Sequence, residues 1–285
     1  MEIPGIFRVN DPAGPAAPLV LDVPHSGRTY PGDFQYACPF PLLRQTEDAY
    51  VDELMENAVE HGATVLTALF PRALIDVNRA VDDLDPAVVD GVWPEPLQPS
   101  ERTLGGLGLV RRMCRGGVPV YKEPLAIEEI DRRLRQYYHP YHRALARILD
   151  GMHRRFGAVW HIDCHSMPSK MYDGSLMAAD FVLGDRDGTS CSADFTALCA
   201  EALRGLGYKV VINDPYKGVE IVRRHGQPGQ ARHSLQLEIN RALYLDEDVI
   251  QRASGFDKMR ADLGKFIQKV AAALPYHREQ QTAAE

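Results

Sequence analysis

The chain has 285 residues, of which 45% are hydrophobic and 25% charged, and its formal net charge is −7. That length suits one large α/β domain or two small ones, and no apolar run approaches the length needed to cross a bilayer. The acidic balance, without a basic stripe interleaved with aromatics, argues against a nucleic-acid partner.

The N-terminal segment MEIPGIFRVNDPAGPAAPLV lacks a basic stretch followed by a long apolar one, so no signal peptide is expected. A first strand is predicted over 18–23. Residues 46–61 read as a helix ending at Gly62, with Thr46 as N-cap and Val51, Leu54, Met55 and Ala58 at helical period. Segments 63–70 and 72–79 read as two strands around Pro71. Residues 80–120 are rich in Pro, Gly and Asp without a clear period, and a connection of that length is usually functional or mobile. Residues 126–156 are strongly helical, with Pro140 marking a kink or break. Strands follow at 158–163, 180–184, 208–214, 219–225 and 233–240, with helices at 192–205 and 246–274 and a polar tail over 276–285. The alternation predicts a single α/β domain with a sheet covered on both faces. The close pairs within 63–79 and 208–240 make the sheet mixed.

Three apolar runs end in a residue able to bind a metal or move a proton: LVLDVPHSG with His25, VWHIDCHSMPS with His165, and SLQLEINRALY with Glu238. Ligands of open α/β sheets gather at the carboxyl ends of strands. Two neutral histidines and one carboxylate, with an open fourth position, form a common hydrolytic zinc set. His25 and His165 are the histidine candidates. The acid comes from Glu47, Asp48 or Asp52, with Asp48 preferred. A histidine after a strand also serves as a hydrogen-bonded structural group, and acids at a helix start suit the helix dipole alone. No HExxH spacing is present. Asp163, two residues before His165, is placed to orient that ring or to ligate.

Glu238 lies amid leucine and isoleucine, where a carboxylate is costly unless paired or functional. In a dry site it suits a general base, although Gln236, Glu238 and Asn240 also share one face of an alternating strand. Arg79 ends IDVNR, and Arg223, Arg224 and His225 end VEIVRRH, where arginines can grip a carboxylate and His225 an oxyanion. Arg111 and Arg112 follow the glycine-rich GGLGLV, which lacks the GK[ST] of a phosphate loop. Ser26 and Ser166 stand in no GxSxG elbow. Cys164 and His165 point to opposite strand faces, which disfavours a Cys–His pair. Five scattered cysteines (Cys38, Cys114, Cys164, Cys191, Cys199) do not read as a disulfide framework, and a reducing cytoplasm is the expected location.

The blocks PHSG (24–27), TEDAYVDEL (46–54), IDVNRA (75–80), DCHSMPS (163–169), NDPYKGVEIVRRHG (213–226) and LQLEINRALYLDE (235–247) occur in an order that resembles the N-formylglutamate amidohydrolase family. The resemblance runs from about Val20 to Glu247. It implies a three-layer α/β/α fold with a central mixed β-sheet, phosphorylase/hydrolase-like and similar to zinc carboxypeptidases. It also implies one Zn2+ per chain and release of formate from N-formyl-L-glutamate, as in one route of histidine degradation. Carried over by residue, it implies His25, His165 and an acid at Glu47 or Asp48 as ligands, and Glu238 as base. Arg79, Arg224 and His225 then surround the substrate, and Asn78 and Arg111 are further substrate-binding candidates. Arg28 stands where a carboxypeptidase HxxE motif has its glutamate, so the acidic ligand comes from further along. The rival readings are a metal-dependent amidase or carboxypeptidase on another N-acyl amino acid or cell-wall peptide, and a non-catalytic anion-binding protein.

Overall fold

A computed structural model describes residues 1–170 and 174–275; the polar tail expected over 276–285 lies outside them. Its centre is an eight-stranded sheet built from β1 (Glu2–Ile3), β2 (Phe7–Asn10), β3 (Leu19–Val23), β4 (Thr64–Ala68), β5 (Val159–Met167), β6 (Phe181–Gly184), β7 (Val210–Ile212) and β8 (Arg232–Asn240). The spatial order is β1-β2-β4-β3-β5-β8-β6-β7. The run β4, β3, β5, β8 is parallel. β2 joins β4 antiparallel, β6 joins β8 antiparallel, and β7 lies parallel to β6. The sheet is therefore mixed, as expected, but its antiparallel pairs, β1 with β2 included, are not strand pairs within 63–79 or within 208–240. β1 and β2, hidden in a short segment around Pro4 and Gly5, had no counterpart among the predicted strands.

Besides two single-turn helices at Phe40–Arg44 and Glu101–Leu104, the helices are α1 (Val51–Leu54), α2 (Ile127–Arg133), α3 (His139–Phe156), α4 (Ala193–Arg204), α5 (Glu220–His225) and α6 (Phe256–Ala273). Alternation along the strands separates two cores. Leu19, Leu21, Val23, Trp160, Ile162, Cys164, Leu235, Leu237 and Ile239 face one side, against α1, α4 and α6. On α6 the apolar stripe Phe256, Met259, Leu263, Phe266, Ile267 and Val270 recurs at three- and four-residue spacing and is buried. Val20, Leu66, Ala68 and Val159 face the other side, against Ile130, Tyr141, Leu145 and Leu149 of α2 and α3. The three layers are thus helices, mixed sheet, helices.

The same alternation turns Asp22, His161, Asp163, His165, Ser234, Gln236 and Glu238 toward the α3 side, all buried. Parallel register sets Asp22 beside Asp163, Asp163 beside Gln236, His161 beside Ser234 and His165 beside Glu238. A polar row of this kind under a helix is tolerated only if its members find partners. Tyr141 Oη donates to Asp22 Oδ2 at 2.7 Å, and His161 contacts Asp22 Oδ1 and Ser234 Oγ, each at 2.8 Å. Ser234, His161 and Asp22 are in line like a nucleophile triad. Their exposures of 0, 1 and 0% leave no route for a substrate.

Several expected elements change. The helix predicted over 46–61 is only α1 plus a 3-10 turn at Glu56–His61. Tyr50, just before α1, sits at φ 65, so 46–50 is irregular and Asp48 and Asp52 share no helical face. Thr46 Oγ1 donates back to Leu43 O at 2.7 Å instead of capping. The strand predicted over 72–79 does not form, because both edges of β4 are already taken by β2 and β3. Its backbone is tied down instead by Arg133, His142 and Tyr138, which donate to Leu74 O, Val77 O and Arg79 O at 2.8, 2.9 and 2.8 Å. The strand predicted over 219–225 is α5. Glu220 pairs with Arg223 and Arg224 at helical spacing, and Asn78 Oδ1 accepts Ile221 N–H at 2.8 Å. The closing helix starts at Phe256, after a two-stranded ribbon of Leu245–Asp246 and Gln251–Arg252.

Residues 127–156 are helical throughout, with a π-helical turn at Leu134–Tyr138 ahead of Pro140. Pro140 lacks an N–H and crowds the carbonyl four residues back, and the wider turn relieves both. Within 80–120, Leu84, Leu109 and Val110 are fully buried, and Asp83 accepts Ser100 N–H at 2.8 Å. That segment is irregular but anchored. Among the described residues, no helix is long and apolar enough to cross a membrane.

His25 follows β3 by two residues, and the chain then passes against 69–70. A Cβ on Gly27 would lie 2.0 Å from Phe70 O. Backbone cannot yield as a flexible side chain would. Gly27→Ala is expected to lower the unfolding free energy by about 3 kcal/mol, measured by urea denaturation.

Candidate metal centre

His25 is carried to the sheet edge by β3, His165 lies inside β5, and Asp48 comes from the irregular turn before α1. The strand predicted to end at 163 continues to Met167, so His165 does not follow a strand end; the parallel register brings it to the same edge as His25. Nδ1 of His25 lies 3.3 Å and Nδ1 of His165 3.0 Å from the same atom, Asp48 Oδ2. One ligand atom from each of the three residues falls within 4.8 Å of the others, and all three residues are buried. Backbone and side chain fix the turn: Asp48 N–H donates to His25 O at 3.0 Å, and Ser26 Oγ donates to Asp48 O at 2.7 Å. The neighbouring acid Glu47 faces elsewhere, accepting from Tyr30 Oη at 2.6 Å and from Arg44 at 3.2 Å. Asp52 pairs with Arg28.

The far nitrogens of both rings meet carboxylates. His25 Nε2 lies 2.7 Å from Asp76 Oδ1, and His165 Nε2 lies 2.8 Å from Asp163 Oδ1. Asn78 Oδ1 is engaged by Ile221 N–H, so its Nδ2 donates, and the acceptor is Asp163 Oδ2 at 3.2 Å. The same amide nitrogen carries a second N–H, which meets His165 Nε2 at 2.9 Å. A carboxylate bonded to Nε2, as Asp76 is to His25, leaves Nδ1 to face the shared Asp48 oxygen, an arrangement that metal-ligating histidines use. Two imidazole Nδ1 atoms and one carboxylate oxygen, buried and convergent, form a donor set that could hold a metal ion.

Electrostatics follow from burial and pairing. Burial alone would raise the Asp48 carboxyl, but hydrogen bonds from His165 and His25, and the charge of Arg72, hold it well below the usual range. Asp76 is likewise held low against its burial, chiefly by Arg72 and His25. Glu238 behaves oppositely. Burial pushes its carboxyl up to about 7, against the lowering influence of His165. Its Oε1 accepts from Gln236 Nε2 at 3.0 Å. A carboxylate that titrates near neutrality beside the histidines is poised to exchange a proton.

The remaining candidates lie one layer away. Arg79 Nη1 donates to Asp83 Oδ2 at 3.1 Å. Arg224 pairs with Glu220 at 2.7 Å and donates to Tyr138 Oη at 3.2 Å, while Tyr138 in turn donates to Arg79 O. His225 stacks on His142 with ring centroids 6.2 Å apart and meets His161 at 6.4 Å, and burial lowers it to about 3. It is a neutral ring packed against other histidines. Arg111 sits in an isolated bridge with Leu107. A cavity of about 260 Å3 is lined by Ala80, Trp93, Glu220, Arg223 and Arg224, among others. Asn78 at the histidines and Ala80 at the cavity are two residues apart, at most about 7 Å of chain.

The family profile for N-formylglutamate amidohydrolase matches residues 17–245. The chain belongs to the N-formylglutamate amidohydrolase family. It is 33% identical over 268 residues to an N-formylglutamate deformylase of Pseudomonas aeruginosa, covering 90% of this chain and 93% of that one. A Pseudomonas putida N-formylglutamate deformylase is also 33% identical, over 244 residues, covering 81% and 82%. The crystal structure of an N-formylglutamate amidohydrolase from Ralstonia eutropha superposes with a TM-score of 0.90 at 44% identity, covering 94% of this chain and 98% of that one.

Two residues of the site escaped the sequence reading. Arg72 Nη2 donates to Asp76 Oδ2 at 2.7 Å and Nη1 to Asp48 Oδ1 at 3.4 Å, linking both carboxylates. Asp76 itself backs His25. Both stand in RALIDVNR, and reading that string as a strand obscured the i, i+4 pairing that joins them. Asn78 serves three neighbours at once. Asn78→Ala leaves the buried Ile221 N–H and an oxygen of Asp163 without their partner. It is expected to lower stability by about 1–3 kcal/mol in chemical denaturation.

Proposed function

We propose that the protein is a zinc-dependent amidohydrolase that removes the formyl group of N-formyl-L-glutamate, giving formate and the free amino acid. The observation that carries this reading is the buried convergence of His25, Asp48 and His165 beside a glutamate whose carboxyl titrates near neutrality. Family membership and the activity named for the Pseudomonas relatives support the substrate. His25 and His165 would hold zinc through Nδ1 and Asp48 through Oδ2. Zinc bound there supplies Lewis acidity, polarising an amide carbonyl and making water acidic enough to ionise near neutral pH.

The chain's own groups then carry the protons and the charge. Glu238 takes a proton from the attacking water on its carboxylate and returns it to the amine nitrogen as the C–N bond breaks. Arg72, half-buried between Asp48 and Asp76, is the cation that faces negative charge developing on the carbonyl oxygen. That role falls to it more readily than to His225, which is neutral and turned toward His142 and His161. Arg79 and Arg224, joined through Tyr138, with Asn78 between them and the histidines, bind the substrate carboxylates, and Arg111 contributes from its bridge.

Removing metal with a chelator is expected to abolish deformylation, and stoichiometric zinc to restore it. Glu238→Gln keeps the shape but cannot accept the proton, and kcat is expected to fall by about 10²–10⁴-fold. In the wild type kcat/KM rises with pH as Glu238 ionises. A bound cation favours the carboxylate, so the midpoint of that acid limb falls below about 7. Comparing formyl-glutamate, formyl-aspartate and acetyl-glutamate as substrates checks the specificity; no turnover of any formyl amino acid rejects the reading.

A further inference from the structure

We infer that Arg241 is a positioning residue for the metal-binding carboxylate: it locks Asp48 so that Oδ2 alone is presented to the two histidines. The inference rests on the metal-site reading above and goes beyond it in assigning this residue. Arg241 follows β8 directly, in a 3-10 turn at Arg241–Leu243 capped by Asn240, whose Oδ1 accepts Ala242 N–H at 3.0 Å. Asn240 is itself fixed by donation from Nδ2 to Ala179 O at 2.9 Å. The direction of the Arg241 side chain is thus set by the strand that carries Glu238.

Arg241 is 7% exposed, and its guanidinium bonds go to the ligand turn and to β5. Nε donates to Ser166 Oγ at 3.0 Å, beside His165. Nη2 donates to Glu47 O at 2.7 Å and to Asp48 Oδ1 at 3.0 Å, and Nη1 reaches Gln45 O at 3.5 Å. One planar fork therefore ties residues 45–48, which have no regular structure of their own, to the two strands bearing His165 and Glu238. Arg72 also approaches Asp48 Oδ1, at 3.4 Å, but its shorter bond is to Asp76. With Oδ1 held by arginine, Asp48 meets a cation through Oδ2 alone, and the distances to the two Nδ1 atoms are fixed.

Two effects of removing Arg241 have opposite signs, which makes the inference decidable. Coulomb's law alone says that deleting a positive charge beside a cation site tightens cation binding. Positioning says that a loosened turn weakens it, by the 10–100-fold usual for partners that orient metal ligands. We therefore expect Arg241→Met to bind zinc at least about 10-fold more weakly than wild type in competition with a chromophoric chelator. Its cobalt(II)-loaded form should show an altered visible absorption spectrum. Arg241→Lys keeps the charge but not the fork and is expected to weaken zinc binding as well. Ser166→Ala, which takes the Nε partner from Arg241 and leaves its other bonds in place, should produce a smaller shift in the same direction.

Zinc affinity equal to or tighter than wild type in a folded Arg241→Met protein overturns the inference. If that variant does not fold, wild-type zinc affinity in both Arg241→Lys and Ser166→Ala overturns it. A wild-type protein that takes up no zinc defeats the metal reading and this assignment together. Normal wild-type uptake with unaffected Arg241 variants defeats this assignment alone.

Discussion

One carboxylate oxygen, Asp48 Oδ2, is the point on which the site converges: it lies within 3.3 Å of the Nδ1 atoms of both histidines. Asp48 is completely buried, and a buried carboxylate without partners would cost several kcal/mol. The molecule meets that demand from all sides, with two imidazoles on one oxygen and two arginines on the other. Each imidazole then needs a partner for its second nitrogen, which brings Asp76 and Asp163 into the interior. Asp163 in turn requires Asn78. A chain of obligations radiates from one charge and accounts for most of the polar groups buried at the sheet edge.

The sheet makes this network affordable by confining it to one face of three strands. The opposite face of these strands presents Leu19, Leu21, Val23, Trp160, Ile162, Cys164, Leu235, Leu237 and Ile239, and it packs on α4 and α6. Burial there offsets the unfavourable desolvation of Asp22, His161, Asp163 and Glu238. The polar face is not uniform. Near the start of β5, Asp22, His161, Ser234 and Tyr141 satisfy one another and are sealed. Toward the end of the strand, His165 and Glu238 adjoin the ligand turn and the arginines. The same strands thus carry a closed structural network and the candidate metal site, separated by a few residues of register.

α3 and the turn before it act on this arrangement from above. Segment 72–79 holds Arg72, Asp76, Asn78 and Arg79 but has no neighbouring strand. Arg133, Tyr138 and His142 replace the missing ladder by donating to its carbonyls. The π-helical turn ahead of Pro140 sets the phase in which Tyr138, Tyr141 and His142 all reach the sheet side. A residue that forbids an ordinary helical hydrogen bond thereby shapes the roof of the site.

Composition, periodicity and ordered motifs were enough to read the α/β/α class, the central strands, α4, the long helix around Pro140, and the family. Local patterns carry that information because alternation and helical spacing are properties of neighbouring residues. His25, His165 and Glu238 were visible as polar residues set against apolar strand runs, and Asp48 as one of three acids at an expected helix start. What local pattern could not decide was which strands pair. Pairing made 72–79 an irregular segment, since β4 already had two neighbours, and left 219–225 to form a helix despite its β-branched residues. It also placed His165 inside a strand, and it separated Glu47 from Asp48 by turning one toward Tyr30 and the other toward the histidines. Arg72, Asp76 and Arg241 acquired their places only in three dimensions, because a hydrogen bond between residues dozens or nearly two hundred positions apart leaves no trace in local spacing. The sequence by itself determined the kinds of chemistry available and the elements that carry them; the tertiary structure decided which charges are neighbours, because only strand register and packing bring distant groups within bonding distance.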